Sequence, residues 1–178
     1  MSSKLFSKKN LKLAVIVLEI IFLAALALLA FNTYRNSRPV AFKTSGMKVV
    51  SQDQGVDFKL ESIEKSTDGG KDYITVKGWV LEKGVESKAS DPLKVVLMDI
   101  NTGRCYSIPT VRTSKKSLTR QYYDGVTYDD SSFEAKIGLC KEINDSSEYQ
   151  VLIYLKNSEG KKLVDTQTGV FSWISAQS

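Results

Sequence analysis

Tyr73-Ile74-Thr75-Val76-Lys77-Gly78-Trp79-Val80-Leu81 is the stretch on which the fold turns. It is rich in β-branched and aromatic residues, which suit a pleated, half-buried surface, and so reads as a strand. Trp79 reads as core packing rather than as a stacking platform, because the preceding Gly78 leaves room for a bulge or a large neighbour. Upstream, Val56, Phe58 and Leu60 alternate with Asp57, Lys59 and Glu61, the period-two pattern of a half-buried strand. Ser66 to Lys71 supplies the turn between the two. Downstream, Leu93 to Ile100, Cys105 to Val111, Phe133 to Leu139, Tyr149 to Leu155, and a last pair around Leu163-Val164 and Val170 to Ile174 complete about eight strands. Asn101 to Arg104 and Asn157 to Gly160 read as tight turns. No segment after residue 36 holds a period of 3.6 over three turns. The expectation is an all-β antiparallel β-sandwich, with a small barrel as the alternative.

Ahead of this domain the pattern is different in kind. Leu13 to Phe31 is LAVIVLEIIFLAALALLAF, a run with the single charge Glu19, and about 20 apolar residues cross a bilayer core of roughly 30 Å. A signal peptide has a shorter apolar region and a small-residue cleavage site, which Leu28-Leu29-Ala30 imitates poorly. Residues 11 to 34 therefore read as a transmembrane helix, 1 to 10 as a basic cytoplasmic tail, 35 to 55 as a stalk and 56 to 178 as the domain. Lys4, Lys8, Lys9 and Lys12 precede the span, while Arg35, Arg38 and Lys43 follow it. With the free amino terminus this predicts a cytoplasmic N-terminus in the plasma membrane and an extracytoplasmic domain. Glu19 shares a helical face with Ile16, Leu23, Ala27 and Ala30, which suits contact with a polytopic membrane partner. A neutral or snorkelling carboxyl is the other reading.

Location of charge excludes several function classes. Of 25 basic and 20 acidic residues, five and one lie in residues 1 to 35, leaving 20 and 19 beyond and a net charge of only +1. That domain has no field to gather a polyanion, so nucleic acid is not an expected partner. The chain has no histidine, which removes His-dependent triads and zinc sites. It carries no phosphate-binding glycine loop, no paired-cysteine motif and no nucleophile-elbow motif. Neither an enzyme nor a cofactor is expected. Cys105 and Cys140 are the two thiols available for a disulfide, the alternative being two separate buried thiols.

The most unusual stretch is Arg120 to Asp130, with Tyr122, Tyr123, Tyr128, Asp124, Asp129 and Asp130 in a short loop. Rings can cover the apolar face of a sugar while carboxylates accept bonds from its hydroxyls. Tyrosines equally suit a protein contact, or simply cover the end of a sandwich. Asp124, Asp129 and Asp130 offer oxygen ligands that would alternatively suit calcium, but their spacing matches no EF-hand loop, and no metal is expected. Arg112 belongs to a basic cluster with Lys115, Lys116 and Arg120, suited to an anionic glycan or to pairing with the loop aspartates. The ligand-binding candidates are thus Tyr122, Tyr123, Asp124, Tyr128, Asp129 and Arg112.

Val56 to Ile63, Ile74 to Val80, Tyr106-Ser107-Ile108-Pro109 with Arg112, Ser132 to Ile137, and Tyr149 to Ile153 occur in an order that resembles a β-sandwich accessory domain. Such domains are found with membrane proteins and glycosyltransferases of cell-envelope polysaccharide assembly in Gram-positive bacteria. The likeness covers about residues 56 to 156. It implies an extracytoplasmic, non-catalytic module with surface glycan as the neighbouring chemistry. In that pattern the arginine is followed two positions on by an acid, whereas Thr113 and Ser114 follow Arg112. A ligand role for that pair is not implied here.

Overall fold

The computed structural model describes residues 8–52 and 54–172. Lys4 of the basic tail and Ile174 of the last expected strand lie outside them. The chain divides into two compact units, with the boundary between Ser37 and Arg38.

The first unit is helix α1, Lys8–Asn36. Its segment Ala14–Phe31 is long and apolar enough to cross a membrane, and none of that segment is buried within the protein. The expected span lies inside α1. Leucine, isoleucine and alanine extend such a helix readily, and Pro39 cannot continue it. At its end the Ser37 amide donates to the Thr33 carbonyl (3.0 Å) and the Ser37 hydroxyl to the Tyr34 carbonyl (2.9 Å).

The second unit is built from strands β1 (Val40–Ala41), β2 (Lys48–Val50), β3 (Val56–Asp68), β4 (Lys71–Glu82), β5 (Leu93–Asp99), β6 (Cys105–Ser107), β7 (Thr110–Thr113), β8 (Ser132–Gly138), β9 (Glu148–Asn157) and β10 (Gly160–Ser172). They form a six-stranded sheet ordered β1-β6-β5-β9-β10-β2 and a four-stranded sheet ordered β3-β4-β8-β7. The two-sheet, sandwich-like architecture agrees with the expectation, but the described residues contain ten strands rather than eight. One sheet is mixed, because β2 runs parallel to β10 through the pairs Lys162↔Lys48 to Val164↔Val50. Between the sheets lies the main core, with Val76, Val80, Phe133 and Ile137 from one side and Val95, Leu97, Val151, Ile153 and Val164 from the other.

Two departures have local causes. Cys105 to Val111, expected as one strand, is two strands in different sheets. Pro109 has no amide hydrogen for a ladder, and the chain changes sheets there, with the Ile108 amide still bonded to the Val95 carbonyl (3.0 Å). The expected stalk also contributes structure, since β1 and β2 occupy opposite edges of the six-stranded sheet. Residues 42–47 connect them as a strap over that sheet's outer face. Phe42 and Met47 pack there on Val96, Leu152, Tyr154 and Leu163, and the Phe42 and Tyr154 rings meet edge-on at 5.4 Å. The alternation that suggests a wet face is therefore partly covered by chain.

Gly78 behaves as its position suggests. The β3–β4 ladder shifts register between Leu60 and Ser62, leaving a bulge. A Cβ on Gly78 would lie 2.4 Å from the Lys59 carbonyl oxygen and 3.1 Å from Phe133 Cζ. Glycine is what lets the bulge and the phenylalanine occupy the same place.

Candidate functional site

The outer face of the four-stranded sheet carries the tyrosine- and aspartate-rich segment. Helix α2 (Ser117–Tyr122) and a 3-10 turn (Asp129–Ser131) fold over it. Trp79 and Leu81 point outward from β4 and are buried under Leu118 and Tyr128, with Tyr122 and Val126 against them. The Tyr122 ring meets Tyr128 at 5.4 Å and Trp79 at 6.5 Å, both edge-on. This is a small second core, and Trp79 is a packing residue within it.

Polar groups tie the cap down. The Tyr128 hydroxyl donates to Asp124 Oδ2 and accepts the Gly84 amide at 2.7 Å. The Tyr122 hydroxyl donates to Asp57 on β3. Thr119 donates to Asp129 Oδ1 at 2.5 Å and accepts the Tyr128 amide at 2.8 Å. Burial and then the Asp57 carboxylate push the Tyr122 phenol well above its ordinary range, and burial with Asp124 does the same to Tyr128. In return the hydrogen bond from Tyr128 holds the Asp124 carboxyl below its ordinary value. Each phenol keeps its proton and Asp124 its charge.

Arg112 points into the sandwich end rather than outward. Its Nε donates to the Asp91 carbonyl at 2.9 Å and its Nη1 to the Asp130 carbonyl, while Nη2 is buried without a partner. Burial lowers its pKa against the opposing pull of Asp91 and Asp130. It fastens the loop from behind. Of the candidate residues, Tyr122, Tyr128, Asp129 and Arg112 are thus engaged within the fold. Asp124 is exposed but bonded, and Tyr123 stands free, 87 % exposed, at the left-handed end of α2 (φ 49°).

Beside the cap lies an open groove of about 200 Å³ on the same face. Lys77 pairs with Glu134 (3.5 Å) and Lys115 with Glu61 on its walls. Ser132 lines it, facing Trp79 on β4 and Thr113 on β7 across the ladder. That serine is only 6 % exposed, and its hydroxyl has no hydrogen-bond partner. Such a group is costly to leave unsatisfied and invites a polar occupant. Sequence reasoning passed over Ser132, Asp57 and Thr119. Asp57 stood in the period-two pattern at an outward position, and that was the available signal.

The remaining candidates lie apart from this face. Glu19 is exposed on α1. Cys105 and Cys140 are separate thiols. Cys105 packs with the cluster under the strap and Cys140 against the main core, so the six-stranded sheet's two sides divide them. Burial raises both thiols above the ordinary value. Among the described residues no three acidic or thiol groups gather as a metal shell. No protein-family model, curated protein or solved structure matches this chain.

Proposed function

We propose that this chain is a non-catalytic, single-pass plasma-membrane protein whose N-terminus is cytoplasmic and whose two-sheet domain works outside the cell, as a glycan-binding accessory to cell-envelope polysaccharide assembly. Support for the placement comes from the apolar α1 with its preceding lysines. Support for the envelope setting comes from the resemblance to accessory domains of that system. The observation that carries ligand binding is the unpartnered Ser132 hydroxyl in a groove walled by two Lys–Glu pairs. A sugar hydroxyl both donates and accepts, and this groove alternates ammonium donors with carboxylate acceptors around a hydroxyl that can do either. The free Tyr123 ring on the same cap adds a surface for a sugar face.

The test is binding of envelope polysaccharides, neutral and anionic, to the full chain in nanodiscs. Binding should weaken in Ser132→Ala with Lys77→Ala, and in Tyr123→Ala. No binding to any of them, or binding indifferent to all three changes, would overturn the assignment. Tyr122→Ala with Tyr128→Ala is a poor probe, because it removes the cap's own core.

A second reading concerns α1. Ile16, Glu19, Leu23, Ala27 and Ala30 share one face and are all exposed, so no described residue of the helix's own unit covers the Glu19 side chain. A polytopic membrane protein with a polar group at that depth would complete it. Cross-linking of wild type against Glu19→Leu decides, since an identical set of partners sinks the role.

A further inference from the structure

The strap forms a second cleft, remote from the cap. It is an open cavity of about 520 Å³ lined by Phe42, Lys43, Thr44, Arg104, Cys105 and Tyr106 among others, a size that suits a small organic ligand. Its two faces differ in chemistry. Phe42 and Cys105 belong to the apolar cluster under the strap, so the floor is apolar. The rim is cationic, and no acidic residue lines it. Lys43 and Arg104 are both exposed, and neither is in an ion pair among the described residues. Every cation of the groove beside the cap, by contrast, is already neutralised.

Two unpaired cations and the hydroxyls of Thr44 and Ser45 beside an apolar floor suit a many-acceptor anion carrying an apolar body. Guanidinium presents a planar fork of donors that matches phosphate, and ammonium adds a compact charge. We propose that this cleft binds an organophosphate with an apolar substituent, the phosphate on Lys43 and Arg104 and the apolar part against Phe42 and Cys105. A phospholipid headgroup and a soluble phosphate ester share that chemistry.

Cys105 makes the site readable, because it lines the cleft while Cys140 lies against the core between the sheets. The full chain is placed in phosphatidylcholine nanodiscs, and maleimide alkylation of each cysteine is followed by mass spectrometry as hexyl phosphate is added. Alkylation of Cys105 should slow while that of Cys140 holds. In Lys43→Ala with Arg104→Ala the half-protecting concentration should rise by about tenfold or more, and Lys43→Arg with Arg104→Lys should retain protection. Discs containing phosphatidylglycerol separate the two sources. A Cys105 already slowed before any probe is added identifies a lipid headgroup, and an unchanged starting rate identifies a soluble ester. Equal protection by hexyl glucoside, equal protection by inorganic phosphate, or none by hexyl phosphate would each overturn the proposal.

Discussion

Gly78→Ala separates two opposed effects whose sign the structure decides. Gly78 does not use the left-handed backbone region, so adding a methyl inside a strand would ordinarily stabilise by roughly 0.5–1 kcal/mol through chain entropy. Here the new Cβ would sit 2.4 Å from the Lys59 carbonyl oxygen, 3.1 Å from Phe133 Cζ and 3.2 Å from Leu60 Cα. Carbon and oxygen in favourable contact stand about 3.3–3.6 Å apart, so the first of these is roughly 1 Å too close. Two of the three neighbours are backbone atoms of the β3 bulge, which cannot turn aside as a flexible side chain would. A clash with backbone belongs at the upper end of the about 1–3 kcal/mol that overpacking costs, so after the entropy gain the net expectation is a loss of about 2 kcal/mol. Urea unfolding of the full chain in detergent, followed by tryptophan fluorescence, should show the midpoint falling by roughly 1 M at a slope near 2 kcal/mol/M. Gly138→Ala is the matched control, because its nearest neighbour is the Tyr73 ring edge at 3.2 Å, which can move. A Gly78→Ala protein as stable as wild type, or more so, would refute the reasoning that ties the bulge, the glycine and Phe133 together.

Lys162 and Glu82 pair across the two sheets with little exposure, and Asn157 also donates to Glu82 at 2.8 Å. Lys162→Met should cost about 3–5 kcal/mol by stranding the carboxylate, whereas Lys162→Met with Glu82→Leu should recover most of it in the same unfolding assay. Tyr128→Phe removes a buried hydroxyl that serves both Asp124 and the Gly84 amide, and a loss of about 1–3 kcal/mol in urea is expected. Stability should also depend on pH at both extremes. The Asp124 and Asp72 carboxyls are depressed mainly by hydroxyl donors, and Asp99 is depressed because bonds from Thr102 and Ser147 outweigh its burial. Their contribution is present above the ordinary aspartate value, near pH 4, and is lost as pH falls through the depressed values. Tyr122 and Tyr128 have raised values, so their contribution holds up to the ordinary tyrosine range, about pH 10, and fades as pH rises beyond it. Unfolding midpoints taken across pH should show both limbs, and the alkaline one should flatten in Tyr122→Phe with Tyr128→Phe.

Much of the architecture was legible wherever a local pattern has one physical outcome. The apolar run of α1 cannot be anything shorter than a long helix, and Val56 to Leu60 and Tyr73 to Leu81 pair as β3 and β4 through Gly69-Gly70, where both glycines have positive φ. Gly78 carried its own explanation. The rest depends on which strands become neighbours. Pro109 marks an interruption but not the change of sheet that follows it. Polar residues 42–47 look like a linker, because an isolated Phe42 gives no hint that Tyr154, over a hundred residues away, will meet it. The tyrosine-rich loop reads naturally as a binding surface, since composition cannot show that Asp57 accepts the Tyr122 hydroxyl across 65 residues. Partners distant in sequence engage Tyr122, Tyr128 and Arg112 within the fold.

The same geometry explains why both candidate sites sit at margins. Each sheet has an outer face more apolar than solvent tolerates, with Val96, Leu152, Tyr154 and Leu163 on one and Trp79 and Leu81 on the other. Each is covered by a connector too short to span the whole face, the strap on the first and α2 with its loop on the second. Where a cover ends, side chains meet a step between packed chain and open sheet. At the step lie polar groups that neither layer satisfies, the buried Ser132 hydroxyl beside the cap and the exposed Lys43 and Arg104, in no ion pair among the described residues, beside the strap. On the proposed reading, substitutions at the roof edges should alter binding while those beneath the roofs alter stability.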